Sequence, residues 1–492
     1  MLTRKDTKTR LQMEFTSLEN LVPSDHLLRK IDKAMDFSFI YDELEDLYSS
    51  AGRPSIDPVV LIKIVLIQHL FGIPSMRQTI KEIEVNLAYR WFLGYGMTEK
   101  IPHFSTFNKN YERRFKHSDL FQKIFIKVLE QAENYKLINP EQIYIDSTHI
   151  KASANKKKYK KVLKAVPAKN YQEELDKAIE EDRKNHNKKS LKKKENLTPD
   201  MKEVIQSTSD KDSGMFYKNE KEKCFAYLAH TACDDSNFIV GFEVTAGNVH
   251  DSVAFKDVYD KVKERYKQGM KRLAVDAGYI TPHICKTLIE DGIDPAIPYK
   301  RPMTKEGYLK KYDYAYDEYY DCYVCPNNAV LKYSTTNRDG YKEYKSNPDD
   351  CKECGYRMNM KCTNSKKAQK LITRHVWEEY IEESNHLRHV PIIKGTYKRR
   401  KETIERVFAD AKEKHGMRYT RLRSVAKVTM EVTLIFACMN LKKLATRLWK
   451  KGKGALYYRK EIQLYFLINP NIHKPMRKRL IGNFQLAVLS TI

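Results

Sequence analysis

The chain has 492 residues, with 90 Lys+Arg against 64 Asp+Glu, a formal net charge of +26, 41% hydrophobic residues and 11% aromatic ones. That length and apolar content suffice for two or three domains with buried cores, which excludes a wholly disordered basic tail. No run reaches the roughly 18 consecutive apolar residues of a membrane span and the first residues lack the apolar stretch of a secretory signal, so a cytoplasmic, nucleoid-associated protein is expected, and the positive excess suits a polyanion such as nucleic acid.

Residues 1 to 135 read as a helical domain for DNA binding or self-association. SIDPVVLIKIVLIQHLFG opens on a Ser, Asp, Pro start signal, runs apolar for too long to be an ordinary strand, and stops at Gly72. In the following stretch Ile80, Ile83, Leu87, Trp91 and Phe92 recur at helical spacing, with Gly94 as the stop. A third helix is expected from Ser105 to about Ala132. Short turns between helices fit a helix-turn-helix reader of DNA and an ordinary bundle equally well.

After Pro140 the pattern becomes strand-rich. QIYIDST, CFAYLAHTACD and NFIVGFEVTAGNV read as strands, SVAFKDVYDKVKERYKQG as an amphipathic helix, RLAVDAGYI as a buried strand, TPHICKTLIEDG as a helix capped by Thr281 and Pro282, and DPAIPY as another strand. This is a mixed sheet with helical cover, expected over 136 to 299 and completed by 391 to 450, where VAKVTMEVTLIFACMNLKKLA is expected to cover the sheet. Two insertions interrupt it. The first, 156 to 215, has 15 Lys+Arg against 7 Asp+Glu between residues 156 and 195 and reads as a solvated arm, a loosely held helix pair or a phosphate grip. The second, 300 to 390, holds five of the nine cysteines. A basic tail, 451 to 492, ends the chain.

Asp146 and Asp276 each follow an apolar strand run. A carboxylate is costly to desolvate, and strand ends are where a sheet presents side chains for chemistry, although a lone Asp there also serves as a turn former. In TYKRRKETIERVFADAKEKHGMRYTRLRS, read as a helix, Ile404, Val407, Phe408 and Ala411 face a core, while Glu405 and Lys412 lie two turns apart; Glu402 is the rival carboxylate.

YIDSTHIKASANK, LAVDAGYI and RKETIERVFADAKEKHGMRYTRLR, with GRPSIDPVVLIKIVLIQHLFGI and NLAYRWFLG, resemble the DDE transposases of bacterial insertion sequences, in the expected order over about residues 15 to 445. The resemblance implies an RNase H-like core with Asp146, Asp276 and Glu405 as catalytic acids. It also implies a Tyr, Arg, Glu, Lys signature, here Tyr397, Arg400, Glu405 and Lys412, with the Arg to Glu gap one residue longer than usual and Lys401 as the alternative to Arg400. Two Mg²⁺ or Mn²⁺ ions, about 3.5 to 4 Å apart, suit such a carboxylate set and the in-line cleavage of a phosphodiester. Arg400, Lys401, Arg406, Lys412 and Lys414 are then expected to contact DNA, and Tyr279 is placed for stacking on an unpaired base or for core packing. Terminal repeats and target as double-stranded DNA, and a homodimer on that DNA, follow from the resemblance alone.

Cys322-x2-Cys325 and Cys351-x2-Cys354 have the spacing of a four-thiolate structural Zn²⁺ site, with Cys362 as a possible fifth ligand. The rival expectation is a zinc-ribbon DNA-binding protein or repressor without catalysis.

Overall fold

The computed structural model describes residues 13, 15–49, 55–165, 171–191, 201–217, 222–301, 304–359 and 361–468. The chain divides into two compact units: Met1–Asn139 with Ser236–Val240 and Arg406–Ile492, and Pro140–Asp235 with Gly241–Glu405. The division falls inside the helix that bears Glu405, and residues 406 to 450 pack with the N-terminal helices.

The first unit is helical. Pro58–Leu70 starts where Asp57 accepts hydrogen bonds from the backbone N–H groups of Val59 and Val60 at 2.7 and 3.3 Å, with Pro58 in the first helical position. This helix is apolar on all sides and therefore central, with Leu61, Ile62, Ile64, Val65, Leu66 and Ile67 buried. The expected helix over 75 to 94 is broken at Asn86, whose extended backbone ends Met76–Val85 and whose side chain caps Leu87–Leu93. The expected helix from Ser105 is likewise two, Ser105–Arg113 and Leu120–Asn134. The apolar stretch expected over the sheet belongs to Val425–Ile468, which packs on Leu27–Ala34, Pro58–Leu70 and Leu120–Asn134 and closes this helical unit. Of the expected basic tail, residues 469–492 lie outside the described residues.

In the second unit the described residues form an eight-stranded sheet in the order β2-β3-β4-β5-β1-β7-β8, with β6 also paired to β5. The strands are β1 Gln142–Lys151, β2 Tyr159–Ala165, β3 Met201–Ser207, β4 Gly214–Tyr217, β5 Lys223–Asp234, β6 Ile239–Ala246, β7 Arg272–Ala274 and β8 Asp294–Ala296. β1 is central: it pairs antiparallel with β5 and parallel with β7. Its Ile143, Tyr144 and Ile145 are all fully buried, as expected of a strand covered on both faces. β7 leads through the helix Pro282–Glu290 to parallel β8, a short βαβ crossover.

The basic insertion is neither a free arm nor a helix pair. β2 and β3 pair along Tyr159 to Ala165 and extend the sheet, leaving β2 at its edge. Between them lies the helix Gln172–Asn185; residues 166–170 and 192–200 of this insertion are outside the described ones. The cysteine-bearing insertion is a five-stranded antiparallel sheet among the described residues, in the order β13-β12-β11-β10-β9. Its strands are β9 Ala315–Asp317, β10 Cys322–Val324, β11 Val330–Thr336, β12 Tyr341–Ser346 and β13 Leu371–His375. Tyr314, Tyr323, Leu331, Tyr344 and Ile372 form its core. The two insertions hold each other: Arg183 Nη1 donates to the Thr336 carbonyl at 2.7 Å, Lys342 pairs with Asp182 at 2.6 Å, and Leu175 and Ile179 pack on Trp377. The fold is therefore α/β, a mixed sheet with flanking helices, a helical N-terminal region and a cysteine-bearing insertion.

Candidate active site

Asp146 does not end its strand. It is the fifth residue of the ten in β1, facing Thr231 across the ladder. β7 stops at Ala274, and two residues later Asp276 turns the chain, its carboxylate accepting from the Gly278 N–H at 2.8 Å as the cap of a short 3₁₀ turn. Because β1 and β7 are parallel, with Tyr144 opposite Ala274, the two acids leave neighbouring strands at matching heights. Burial pushes the Asp146 carboxyl up to about 6 against the opposing pull of Arg400, and the charges of Asp276 and Asp251 add to the rise.

Arg400 is buried, and its Nη2 donates to Asp146 Oδ2 at 2.6 Å. It therefore faces the acids rather than a phosphate outside, whereas the alternative Lys401 is exposed. Glu405 stands in the first turn of Ile404–Lys414 and is exposed, as is its rival Glu402. Among the described residues no hydrogen bond or ion pair joins Glu405 to Asp146 or Asp276, so the structure brings the two aspartates together and leaves the glutamate outside that pair. The helical pattern behind Glu405 holds: Ile404, Val407, Phe408 and Ala411 are buried.

The expected phosphate contacts are placed differently from one another. Arg406 is exposed, Lys414 pairs with Asp410 at 2.6 Å, and Lys412 lines a cleft of about 570 Å³ with His69, Phe107, Tyr111, Arg418 and Met430 in the helical unit. Tyr279 is fully buried, edge-on to Phe255 at 6.0 Å, and offers no face to a base; of the two roles expected for it, core packing is the one its position allows. His149 stacks on Phe216 at 4.7 Å and His250 caps the helix Asp251–Tyr266 through the Ser252 N–H at 3.2 Å.

Two residues near the acids escaped the sequence reading. Asp251 begins the helix after His250, and His230 lies buried on β5 with Nδ1 3.5 Å from Asp251 Oδ1. The one available signal was a His-Asp pair directly after a strand, which an amphipathic helix start explains equally well.

The four-thiolate expectation is not supported. Among the described residues no three His, Cys, Asp or Glu side chains form a group fit to hold a metal ion. Cys322 and Tyr323 are successive residues of β10, so their side chains leave opposite faces, and Tyr323 takes the core face. Cys325, Cys351, Cys354 and Cys362 line a cavity of about 20 Å³ that Cys322 does not reach. Tyr314 meets Cys362 there at 3.2 Å, and Cys351 turns to the Ser346 hydroxyl at 3.2 Å.

Two family models match the chain: Transposase domain (DUF772) over residues 16–113, and Transposase DDE domain over residues 324–445. The chain thus carries two transposase stretches, the second of them a DDE transposase domain. The second match covers Glu405 and begins after Asp276. Among solved structures, the chain is similar to the piggyBac transposase in a synaptic complex with hairpin DNA, at 9% identity over 93% of this chain and 84% of that one, with a TM-score of 0.31. No curated protein matches the chain. No helix of this DNA transposase, among the described residues, is long and apolar enough to cross a membrane.

Transposases of this family normally use divalent metal ions. No set of three ligands stands assembled among the described residues, but the side chains present suit such ions in three respects. The donors are carboxylate oxygens, which suit hard cations. Asp276 Oδ1 accepts the Gly278 N–H, and a Cβ at Gly278 would stand 3.0 Å from that oxygen, so glycine spares the carboxylate a crowding contact. The buried Tyr279 hydroxyl finds no hydrogen-bond partner among the described residues, although the charges of Asp251, Asp146 and Asp276 all act on it.

Proposed function

We propose that this transposase is that of a bacterial insertion sequence, cleaving DNA at element ends and joining the freed 3′-hydroxyl to target DNA with Asp146, Asp276 and Glu405 as its catalytic acids. The observation that supports this most directly is the pairing of Asp146 and Asp276 at matching heights on parallel neighbours, each in the other's field. Asp146 and Asp276 are oxygen donors held by the sheet. Arg400 fixes the orientation of Asp146, and it does so from the segment that leads into the helix of Glu405. Glu405, exposed in the first turn of that helix, is free to turn toward the aspartates once DNA and cations are present. Mg²⁺ or Mn²⁺, when bound, neutralises the three acids and supplies Lewis acidity to the scissile phosphate. Lys401 and Arg406, both exposed, are suited to contact phosphate oxygens outside the acid pair. Two DNA ends are brought together by a homodimer in this reading.

The test is cleavage of a duplex carrying the element's own terminal repeat, with Mg²⁺. Asp146→Asn, Asp276→Asn and Glu405→Gln are expected to abolish 3′-end release while retaining DNA binding, and Glu402→Gln to cut normally. Normal cleavage by any of the first three refutes its assignment. Binding by the wild-type chain with no cleavage at all would favour a non-catalytic DNA-binding protein.

A further inference from the structure

One more carboxylate faces the space beside Asp276. Asp251 is the first residue of Asp251–Tyr266, a position where an acid is already favourable to the helix dipole, so its presence there needs no other explanation. Its surroundings do. Asp251 Oδ1 lies 3.5 Å from Nδ1 of His230, a side chain 1% exposed whose other ring nitrogen meets the Thr245 hydroxyl at 2.9 Å. A Cβ built on Gly278 would stand 3.8 Å from Asp251 Oδ2 and 3.0 Å from Asp276 Oδ1, so both carboxylates border one small space that the glycine leaves open. The buried Tyr279 hydroxyl has no hydrogen-bond partner among the described residues, and the buried His230 Nδ1 has none beyond its 3.5 Å approach to Asp251. An unpartnered buried polar atom costs about 1 to 3 kcal/mol, and a helix start alone accounts for neither of these two.

We propose that Asp251 is a further carboxylate ligand of the divalent-cation site, on the side of Asp276, and that His230 is the positioning residue that orients it. The inference rests on the divalent-cation reading of Asp146 and Asp276. A ligating carboxylate is ordinarily held from behind by a second group, and His230, anchored through Thr245, is built for that. Tyr279 adds a buried hydroxyl on which the charges of Asp251, Asp146 and Asp276 all act. Asp251 is thus supported by His230 as Asp146 is by Arg400, and Glu405 remains the acid that arrives from a different element.

The test is Mn²⁺ binding to the purified full-length protein without DNA, followed by calorimetry, with thermal melting in EDTA as the control for folding. Asp251→Asn is expected to weaken Mn²⁺ binding by about tenfold or more, and to melt in EDTA at or above the wild-type temperature because a like charge has been removed. Asp251→Glu, which restores the carboxylate, should bind more tightly than Asp251→Asn. Wild-type affinity in Asp251→Asn, or the reverse order of the two variants, overturns the assignment. Asp146→Asn and Asp276→Asn separate the two levels. If they lose Mn²⁺ while Asp251→Asn keeps it, only the role of Asp251 fails; if all three keep it, the underlying cation reading fails. For His230→Gln, lower Mn²⁺ affinity at an unchanged EDTA melting temperature is the expected result. A lowered melting temperature with unchanged affinity would make His230 a packing residue.

Discussion

Arg400 reaches Asp146 from a segment 254 residues further along the chain, with Nη2 2.6 Å from Oδ2 and the two side chains only 8% and 18% exposed. Beside it Thr396 donates to the side-chain oxygen of Gln142, the first residue of the same strand, at 3.1 Å. The segment that leads into the helix carrying Glu405 is therefore tied to the strand that carries Asp146. An arginine suits this role because its guanidinium stays charged when buried, so it offsets the desolvation of the carboxylate even though burial still lifts Asp146 to about 6.

Removing one partner of such a pair leaves the other buried and uncompensated. Arg400→Gln is expected to destabilise the protein in EDTA by about 3 kcal/mol, in the range for broken buried pairs. Asp146→Asn in the same background should recover part of that loss, with a coupling of at least about 1 kcal/mol by urea denaturation. Strict additivity of the two substitutions would show that the contact has no energetic weight.

The helical unit should be acid-sensitive through two buried histidines. His415 donates through Nδ1 to the His69 carbonyl, 2.8 Å away, and burial lowers both imidazoles to about 4. The sign follows from proton counting. With folded values near 4 and an unfolded value near 6.5, the unfolded chain binds more protons in that window, so stability is full above about pH 6.5 and is lost as pH falls toward 4. The ceiling is on the order of 3 kcal/mol for each histidine. Melting temperature between pH 7.5 and 4.5 reads the effect, and His415→Asn, which keeps a side-chain donor but cannot titrate, should flatten the slope by about half. An unchanged slope would remove His415 from the account.

The punctuation of the helices was legible because its physics is local. Asp57 with Pro58, Thr281 with Pro282, and the glycines at 72 and 94 act within a turn of themselves, and all four stand where they were read. The basic insertion was not legible. In YKKVLKA only Val162 is even half-buried, so no alternation marks a strand; the lysines belong to a sheet edge, where charge discourages pairing with another chain. Val425–Ile468 does meet Ile239 at the start of β6, through Asn440, but it packs chiefly on three helices, because an apolar stretch reports that it is buried and says nothing of what buries it. Asp146 and Asp276 were found as acids behind apolar runs, but Arg400 as the partner of Asp146 is a contact between remote elements, with no sequence signal beyond an irregular spacing to Glu405.

Gly72 and Gly94 offer a comparison of strain with space. Both have left-handed backbones, at φ +64 and +77, but a Cβ on Gly72 would stand 2.7 Å from the Lys414 carbonyl oxygen, while one on Gly94 would meet nothing within 4 Å. Gly94→Ala should therefore cost only the conformational penalty, about 1 kcal/mol, and Gly72→Ala about 2 to 4 kcal/mol once the clash is added. Equal losses by chemical denaturation would mean that the helix following Glu405 gives way without resistance at Lys414.

Asn440 binds both backbone groups of Ile239: its side-chain oxygen accepts from the N–H at 2.9 Å and its amide donates to the carbonyl at 2.8 Å, with the side chain fully buried. Asn440→Leu leaves a buried N–H and a buried C=O unpaired, a loss of about 2 to 6 kcal/mol at 1 to 3 for each group. Asn440→Asp is the sharper experiment. It keeps the acceptor toward the N–H but sets a carboxylate against the Ile239 carbonyl, so its protonated form is the one the site tolerates. A buried acid of this kind titrates higher in the folded chain than in the unfolded one, and its stability must fall as pH rises through that interval. Asn440→Asp is thus expected to approach the wild type near pH 5 and to be several kcal/mol less stable near pH 8, whereas Asn440→Leu loses the same amount at both. A pH-independent Asn440→Asp would show that water reaches this position, which its complete burial excludes.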